Sequence, residues 1–195
     1  DISFIEAQRQ NLLGMVITHA HEDHYGAILD LWPRLGCPVY LSAFTAAMLE
    51  SKREPDQRLD MEMRLFKAND SFEIGPFAIQ AIPVTHSIPE PFSLLIETEA
   101  GRILHTGDWK FDPEPALGQP VDQEQLARIG DEGLLALICD STNAMTEGES
   151  PSEKAVNESL QEQIAKAPGR VVITTFSSNV GRIRSVMEAA RDSGR

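Results

Sequence analysis

Six consecutive residues, His19-Ala20-His21-Glu22-Asp23-His24, hold three of the five histidines of this 195-residue chain together with two carboxylates. Directly before them stands Gly14-Met15-Val16-Ile17-Thr18, short, apolar and β-branched, the pattern of a buried strand. Any fold of this chain must therefore end a core strand where five ionisable groups meet. Neutral imidazole nitrogen and carboxylate oxygen are the usual ligands of zinc and related divalent ions. In extended chain, residues two apart face the same side, so His19 and His21 are placed to share one ion. Asp23 and His24, turning into the next element, face another way and suit a second. The plainer reading is a polar strand-to-helix turn with Asp23 as its cap, which leaves the concentration of histidine unexplained.

The surrounding pattern mixes helices and strands. Ala27, Ile28, Leu31 and Leu35 recur at helical spacing, so a helix is expected from about Asp23, stopped by Gly36 and Pro38 before a strand at Val39 to Leu41. A second helix runs through Glu50, and the polar residues 51–60 read as a connection or a frayed helix end. Two hairpins follow: Ser71–Ile74 with Phe77–Val84 around Gly75-Pro76, and Phe92–Thr98 with Arg102–Thr106 around Glu99-Ala100-Gly101. Residues 122–130 read as helix and Leu134 to Cys139 as an apolar strand ending at Asp140. Ser150-Pro151-Ser152-Glu153 combines an N-cap serine, proline at the first helical position and glutamate three residues on. It opens a fresh rhythm of helix (151–166), strand (Arg170–Thr175) and helix (179–191), with a domain boundary near 145–150.

Further ligand types stand at strand ends. His86 follows the strand 77–84, and Asp108 follows the strand 102–106. Each alone reads more readily as a hydrogen-bonded loop histidine or a turn aspartate; beside the first cluster both gain weight as ligands. His105, inside a strand, suits packing or support of a ligand. Trp32 and Trp109 offer faces for base stacking, although single tryptophans more often pack in a core or its rim. Ser177, Ser178 and Asn179 precede a helix and suit either a helix cap or a phosphate, with Arg182 and Arg184 adding positive charge there.

Composition sets the outer limits. With 42% hydrophobic and 24% charged residues the chain is globular, and its apolar runs are far short of the ~20 residues that cross a bilayer. Cys37 and Cys139 lie in apolar surroundings without metal-finger spacing, which suggests buried, reduced thiols and a cytoplasmic protein. The net charge of −13 argues against gripping long nucleic acid through phosphate contacts alone.

The string Thr18-His19-Ala20-His21-Glu22-Asp23-His24 followed by Gly26 resembles the HxHxDH signature of the metallo-β-lactamase superfamily. Thr106-Gly107-Asp108-Trp109-Lys110-Phe111-Asp112, Asp140-Ser141-Thr142-Asn143 and Phe176-Ser177-Ser178-Asn179 resemble its β-CASP nucleases, and among them bacterial ribonuclease J. That resemblance implies an α/β fold, an αββα sandwich over residues 1–148 with the start of an α/β β-CASP domain over 149–195. It implies two divalent ions, zinc before manganese although the donors suit either. His19, His21 and His86 would hold the first ion, Asp23 and His24 the second, and Asp108 would bridge them. By the same resemblance Asp23, Asp108 and Asp140 would be the catalytic carboxylates, and Ser177, Ser178, Asn179 and Arg182 the candidate RNA contacts. The implied activity is hydrolysis of phosphodiester bonds in single-stranded RNA, from the 5′ end or internally, by a cytoplasmic homo-oligomer outside the membrane. It further implies that the chain is a piece of a longer protein, in which a later histidine completes the second site. A small-molecule hydrolase of the same superfamily, or a non-catalytic piece that binds metal without turnover, stands as the alternative.

Overall fold

The computed structural model describes residues 1–54 and 60–195. Two sheets organise it. Strands β1 (Met15–Val16), β2 (Val39–Leu41) and β3 (Met63–Leu65) form a parallel sheet in that order. Strands β4 (Ser71–Ile74), β5 (Phe77–Pro83), β6 (Phe92–Thr98) and β7 (Gly101–His105) form an antiparallel meander, and β8 (Ala136–Ile138) joins β7 in parallel. Seven α-helices accompany them among the described residues: α1 (Ser3–Ala7), α2 (Glu22–Tyr25), α3 (Ile28–Leu35), α4 (Ala43–Lys52), α5 (Gln123–Asp131), α6 (Glu153–Lys166) and α7 (Val180–Asp192).

Three apolar clusters fix the order of the layers. Tyr25, Ile28 and Leu49 of the helices pack with Val39 and Leu41 on one face of the parallel sheet. Tyr40, pointing the other way on the same strand, packs with Phe66, Ile79, Ala81, Phe92 and Leu94 between the sheets. There Phe72 stacks on Tyr40 at 5.3 Å and on Phe66 at 5.2 Å, and Phe66 meets Phe92 edge-on, each pair adding about 0.5–1.5 kcal/mol beyond burial. Ile82, Leu95 and Leu104 face Ile129, Leu126 and Leu134 under α5. Helix, sheet, sheet, helix is the expected αββα sandwich.

Both hairpins form within a residue of the expected bounds, and Ser42 and Asp122 cap α4 and α5 through side-chain oxygens. Four expectations change. The helix expected from Asp23 is two helices, broken at Gly26-Ala27, where glycine weakens helix continuation. The cap of α6 is Ser152 rather than Ser150: its hydroxyl accepts from Ala155 N–H, and Asp112 takes the N–H of Glu153 at 2.9 Å. Arg170–Thr175 forms no strand, because no neighbouring strand lies beside it among the described residues; Val172 is exposed. Cys37 is buried as expected, but Cys139 is exposed, since β8 is an edge strand with Leu137 and Ile138 open to solvent. Strand β3, which the sequence reading did not pick out, is a half-exposed edge with only Met63-Arg64-Leu65 to mark it. The connection expected at 51–60 falls partly outside the described residues. Among those described, no helix is long and apolar enough to cross a membrane.

Candidate metal centre

Backbone pairing brings the cluster to the place where both sheets end. Beyond β1, Ile17 N–H donates to the Tyr40 carbonyl at 2.9 Å, and the Thr18 carbonyl accepts from Phe92 N–H of the second sheet at 3.0 Å. His19 therefore leaves a seam between the sheets and is fully buried. The loop after β5 carries His86 and Ser87, with Ile88 sunk into the helical core. Glu90, at φ 54°, closes that loop by accepting the N–H of Phe44 in the first turn of α4 at 2.8 Å.

The loop after β7 carries Asp108. Gly107 turns it at φ 58°, and a Cβ there would meet the Phe92 carbonyl at 3.0 Å and Thr18 at 3.2 Å, so the close approach requires glycine. Lys110 N–H donates to the Thr85 carbonyl at 3.1 Å, and the Thr85 hydroxyl donates to the Lys110 carbonyl, stitching the Asp108 loop to the His86 loop. Farther along, buried Asp112 accepts the N–H groups of Glu114 and Glu153 and pairs with Lys110 at 3.2 Å. Glu153 then pairs with Lys110 at 3.1 Å and Arg182 at 3.2 Å, tying this loop to α6 and α7.

Four sequence-predicted residues converge. Ligand atoms of His19, His21, His86 and Asp108 lie within 4.8 Å of one another, and a second group joins Asp23, His24 and the same Asp108. His21 Nδ1 is 3.2 Å from His19 Nε2 and 2.9 Å from His86 Nε2. A tetrahedral ion with metal–nitrogen bonds of about 2.0–2.1 Å sets its ligands about 3.3 Å apart, so these imidazoles fit around one small cation. Asp108 divides its carboxylate: Oδ2 lies 3.9 Å from His19 Nε2 and 3.8 Å from His86 Nε2, while Oδ1 lies 3.3 Å from His24 Nε2. Asp23 Oδ2 is 3.7 Å from His24 Nε2 and largely exposed.

Burial, reinforced by the neighbouring imidazoles, pushes the His19 pKa down to about 2. His86 is pushed down to about 4 by burial and His21, against the pull of Asp108 and Asp140. Burial also lowers His21, opposed by Asp23 and Asp108. The rings are therefore neutral near pH 7 and offer lone pairs, the form that binds a divalent metal.

Asp140 stands beside this group without joining it. Burial pushes its carboxyl up, but the hydroxyl and N–H of Thr142, the N–H of Trp109 and nearby His86 outweigh that and leave it low. His105 sits on β7 with its buried Nδ1 unpartnered among the described residues and belongs to neither group. Asn179 caps α7 by accepting from Arg182 N–H at 2.9 Å, and the Arg182 guanidinium faces Glu153; Ser177 and Ser178 form the preceding turn. Trp109 packs edge-on against half-exposed Phe111 at 4.7 Å, and Trp32 donates to the Cys37 carbonyl. The sequence reading assigned no role to Thr18 and Ser87, whose hydroxyls touch His19 and His21; the one signal available was that each precedes or follows a ligand-type histidine.

Residues 5–130 match the family described as the Beta-lactamase superfamily domain. The chain belongs to the β-lactamase superfamily. Within that superfamily it is 58% identical over 196 residues to a protein named Ribonuclease J from Sinorhizobium meliloti, covering 100% of this chain and 35% of the relative. A Ribonuclease J from Corynebacterium glutamicum is 41% identical over 199 residues, covering 100% of this chain and 27% of that protein. The chain thus spans about a third of the length of these superfamily relatives. In fold it is similar to the crystal structure of a protein of unknown function from Enterococcus faecalis V583, with a TM-score of 0.65 at 20% identity, covering 90% of this chain and 44% of the other.

Proposed function

We propose that this chain carries the metal-binding core of a ribonuclease that hydrolyses phosphodiester bonds of single-stranded RNA. The division of Asp108 between two imidazole groups carries the two-ion reading. RNA as substrate rests on the relatives named Ribonuclease J, similar over the whole chain. Two divalent ions, zinc before manganese, would be held by His19, His21 and His86 on one side and by Asp23 and His24 on the other, with Asp108 between. Such a pair, when bound, supplies Lewis acidity for in-line attack on a phosphodiester.

The chain's own groups do the rest. Neutral buried imidazoles hold position without a competing proton, and Asp108 counters positive charge at the centre. Asp140, kept ionised and held by Thr142 and Trp109, adds a fixed negative charge beside His86. Ser177, Ser178, Asn179 and Arg182, at the start of α7, are the proposed phosphate contacts, a role in which Arg182 would exchange its pairing with Glu153 for the phosphate while Asn179 Oδ1 keeps the helix cap. Residues 1–148 are read as the first domain and 149–195 as the start of a second, in a cytoplasmic protein that forms homo-oligomers.

The test is cleavage of a 5′-monophosphorylated, unstructured RNA by the zinc- or manganese-loaded chain and by the longer protein containing it, with DNA, thioester and lactam substrates alongside. RNA products that disappear on chelation and with Asp108→Ala support the reading. Thioester or lactam turnover without RNA cleavage by the longer protein would replace it with a small-molecule hydrolase.

A further inference from the structure

His19 and His21 stand two residues apart and turn different ring nitrogens toward each other: His19 presents Nε2 and His21 presents Nδ1, 3.2 Å apart. A neutral imidazole has a lone pair on one nitrogen only, because the proton occupies the other. To serve one ion, the two rings must hold opposite tautomers, His19 protonated at Nδ1 and His21 at Nε2. Each outward nitrogen meets a hydroxyl. Thr18 Oγ1 lies 3.0 Å from His19 Nδ1, and Ser87 Oγ lies 3.3 Å from His21 Nε2.

Resting on the metal-binding reading above, we infer that Thr18 and Ser87 are positioning residues: each hydroxyl accepts the outward ring N–H and so directs the opposite lone pair of its histidine to the ion. The partner on a ligand's far nitrogen fixes its tautomer and orientation. Here the two partners come from different parts of the fold. Thr18 is buried at the seam between the sheets, where its own carbonyl accepts from Phe92. Ser87 is on the loop whose far end is fixed by Glu90 to α4. Ser87 is also adjacent to His86, so one loop brings both a ligand and the group that orients another ligand from across the site.

Hydroxyls can also donate. Were Thr18 to donate to His19 Nδ1, the proton of His19 would sit on Nε2 and oppose the ion, and removing the hydroxyl would leave zinc affinity unchanged or raise it. The two directions therefore give different results. The experiment is zinc affinity by competition with a chromophoric chelator for the wild-type chain, Thr18→Val, Ser87→Ala, and the hydroxyl-retaining Thr18→Ser and Ser87→Thr. Circular dichroism confirms folding, and 15N-edited NMR of the zinc-loaded chain follows the His19 Nδ1 and His21 Nε2 protons. A loss of about 10–100-fold in Thr18→Val and in Ser87→Ala is expected, with recovery in the hydroxyl-retaining variants and faster solvent exchange of the corresponding ring proton. Wild-type affinity in folded Ser87→Ala overturns the assignment for His21, and unchanged or raised affinity in folded Thr18→Val overturns it for His19. A folded wild-type chain that binds no zinc would instead overturn the metal-centre reading on which the inference rests.

Discussion

The residues at this centre differ in how much they depend on one another. Asp108 belongs to both donor groups, whereas His86 belongs to one and His105 to neither. On the two-ion proposal, Asp108→Ala should therefore weaken binding at both donor groups, and His86→Ala only at the group with three imidazoles, by at least about 100-fold, more than the loss of a supporting hydrogen bond. His105→Ala should leave zinc affinity within about twofold; calorimetric titration of the three variants distinguishes these outcomes, and equal losses in all three would contradict the grouping. Gly107 acts through the backbone. Its positive φ and the 3.0 Å approach of a Cβ to the Phe92 carbonyl predict that Gly107→Ala costs about 1–3 kcal/mol of stability. Thermal unfolding checks it, and an unchanged midpoint would mean the Asp108 turn relaxes freely.

Between elements, the polar network that begins at Lys110 has more reach than any single contact. Buried Asp112 joins the loop after β7 to the first residue of α6. Burial would raise its carboxyl, but the two backbone N–H groups and Lys110 prevail and leave it below the usual value. A carboxyl lowered on folding stabilises the fold above its unfolded value of about 3.9, and that contribution disappears as pH falls through the folded value. Stability of the wild type should therefore fall on acidification through that window, whereas Asp112→Asn should be less stable by about 1–3 kcal/mol at pH 7 and show a shallower acid slope. Denaturant titrations at pH 7 and from about pH 5 down to about pH 2 decide it; parallel curves would remove Asp112 from the linkage. The same scale shows why legibility varied. The hairpins β4–β5 and β6–β7 were readable because alternation and turn residues are local. Strand β3 and the coil at Arg170–Thr175 were not, because a strand depends on its neighbour: Met63–Leu65 acquires one in β2, and Arg170–Thr175 has none among the described residues. Ser150 and Ser152 both suit a cap locally, and the distant Asp112 decides between them. Cys139 was misplaced for the same reason, since an apolar strand read as buried becomes an open edge.

At the scale of the molecule, two sheets and their flanking helices exist to hold loop ends together. The ligand-type residues were legible because His19 to His24 are contiguous, while the placing of His86 and Asp108 beside them depended on the resemblance until the sandwich brought the strand ends together. Net charge belongs to this scale as well. At −13 the chain repels polyanions overall; if the proposed ribonuclease function holds, RNA binding by this chain should rely on about two phosphates near the metal centre, and log affinity should fall with log salt at a slope of about −1.4. Fluorescence anisotropy with a short RNA across salt concentrations measures the slope, and one of −4 or steeper would reveal an extended basic surface. The most direct test of the centre is zinc content per chain by elemental analysis after loading and gel filtration, for wild type, His21→Ala and His24→Ala. The first group, with three imidazoles, should hold zinc in wild type and in His24→Ala and lose it in His21→Ala, with any second equivalent vanishing in His24→Ala. A folded wild-type chain without zinc, or a His21→Ala variant that retains it in full, would contradict the account.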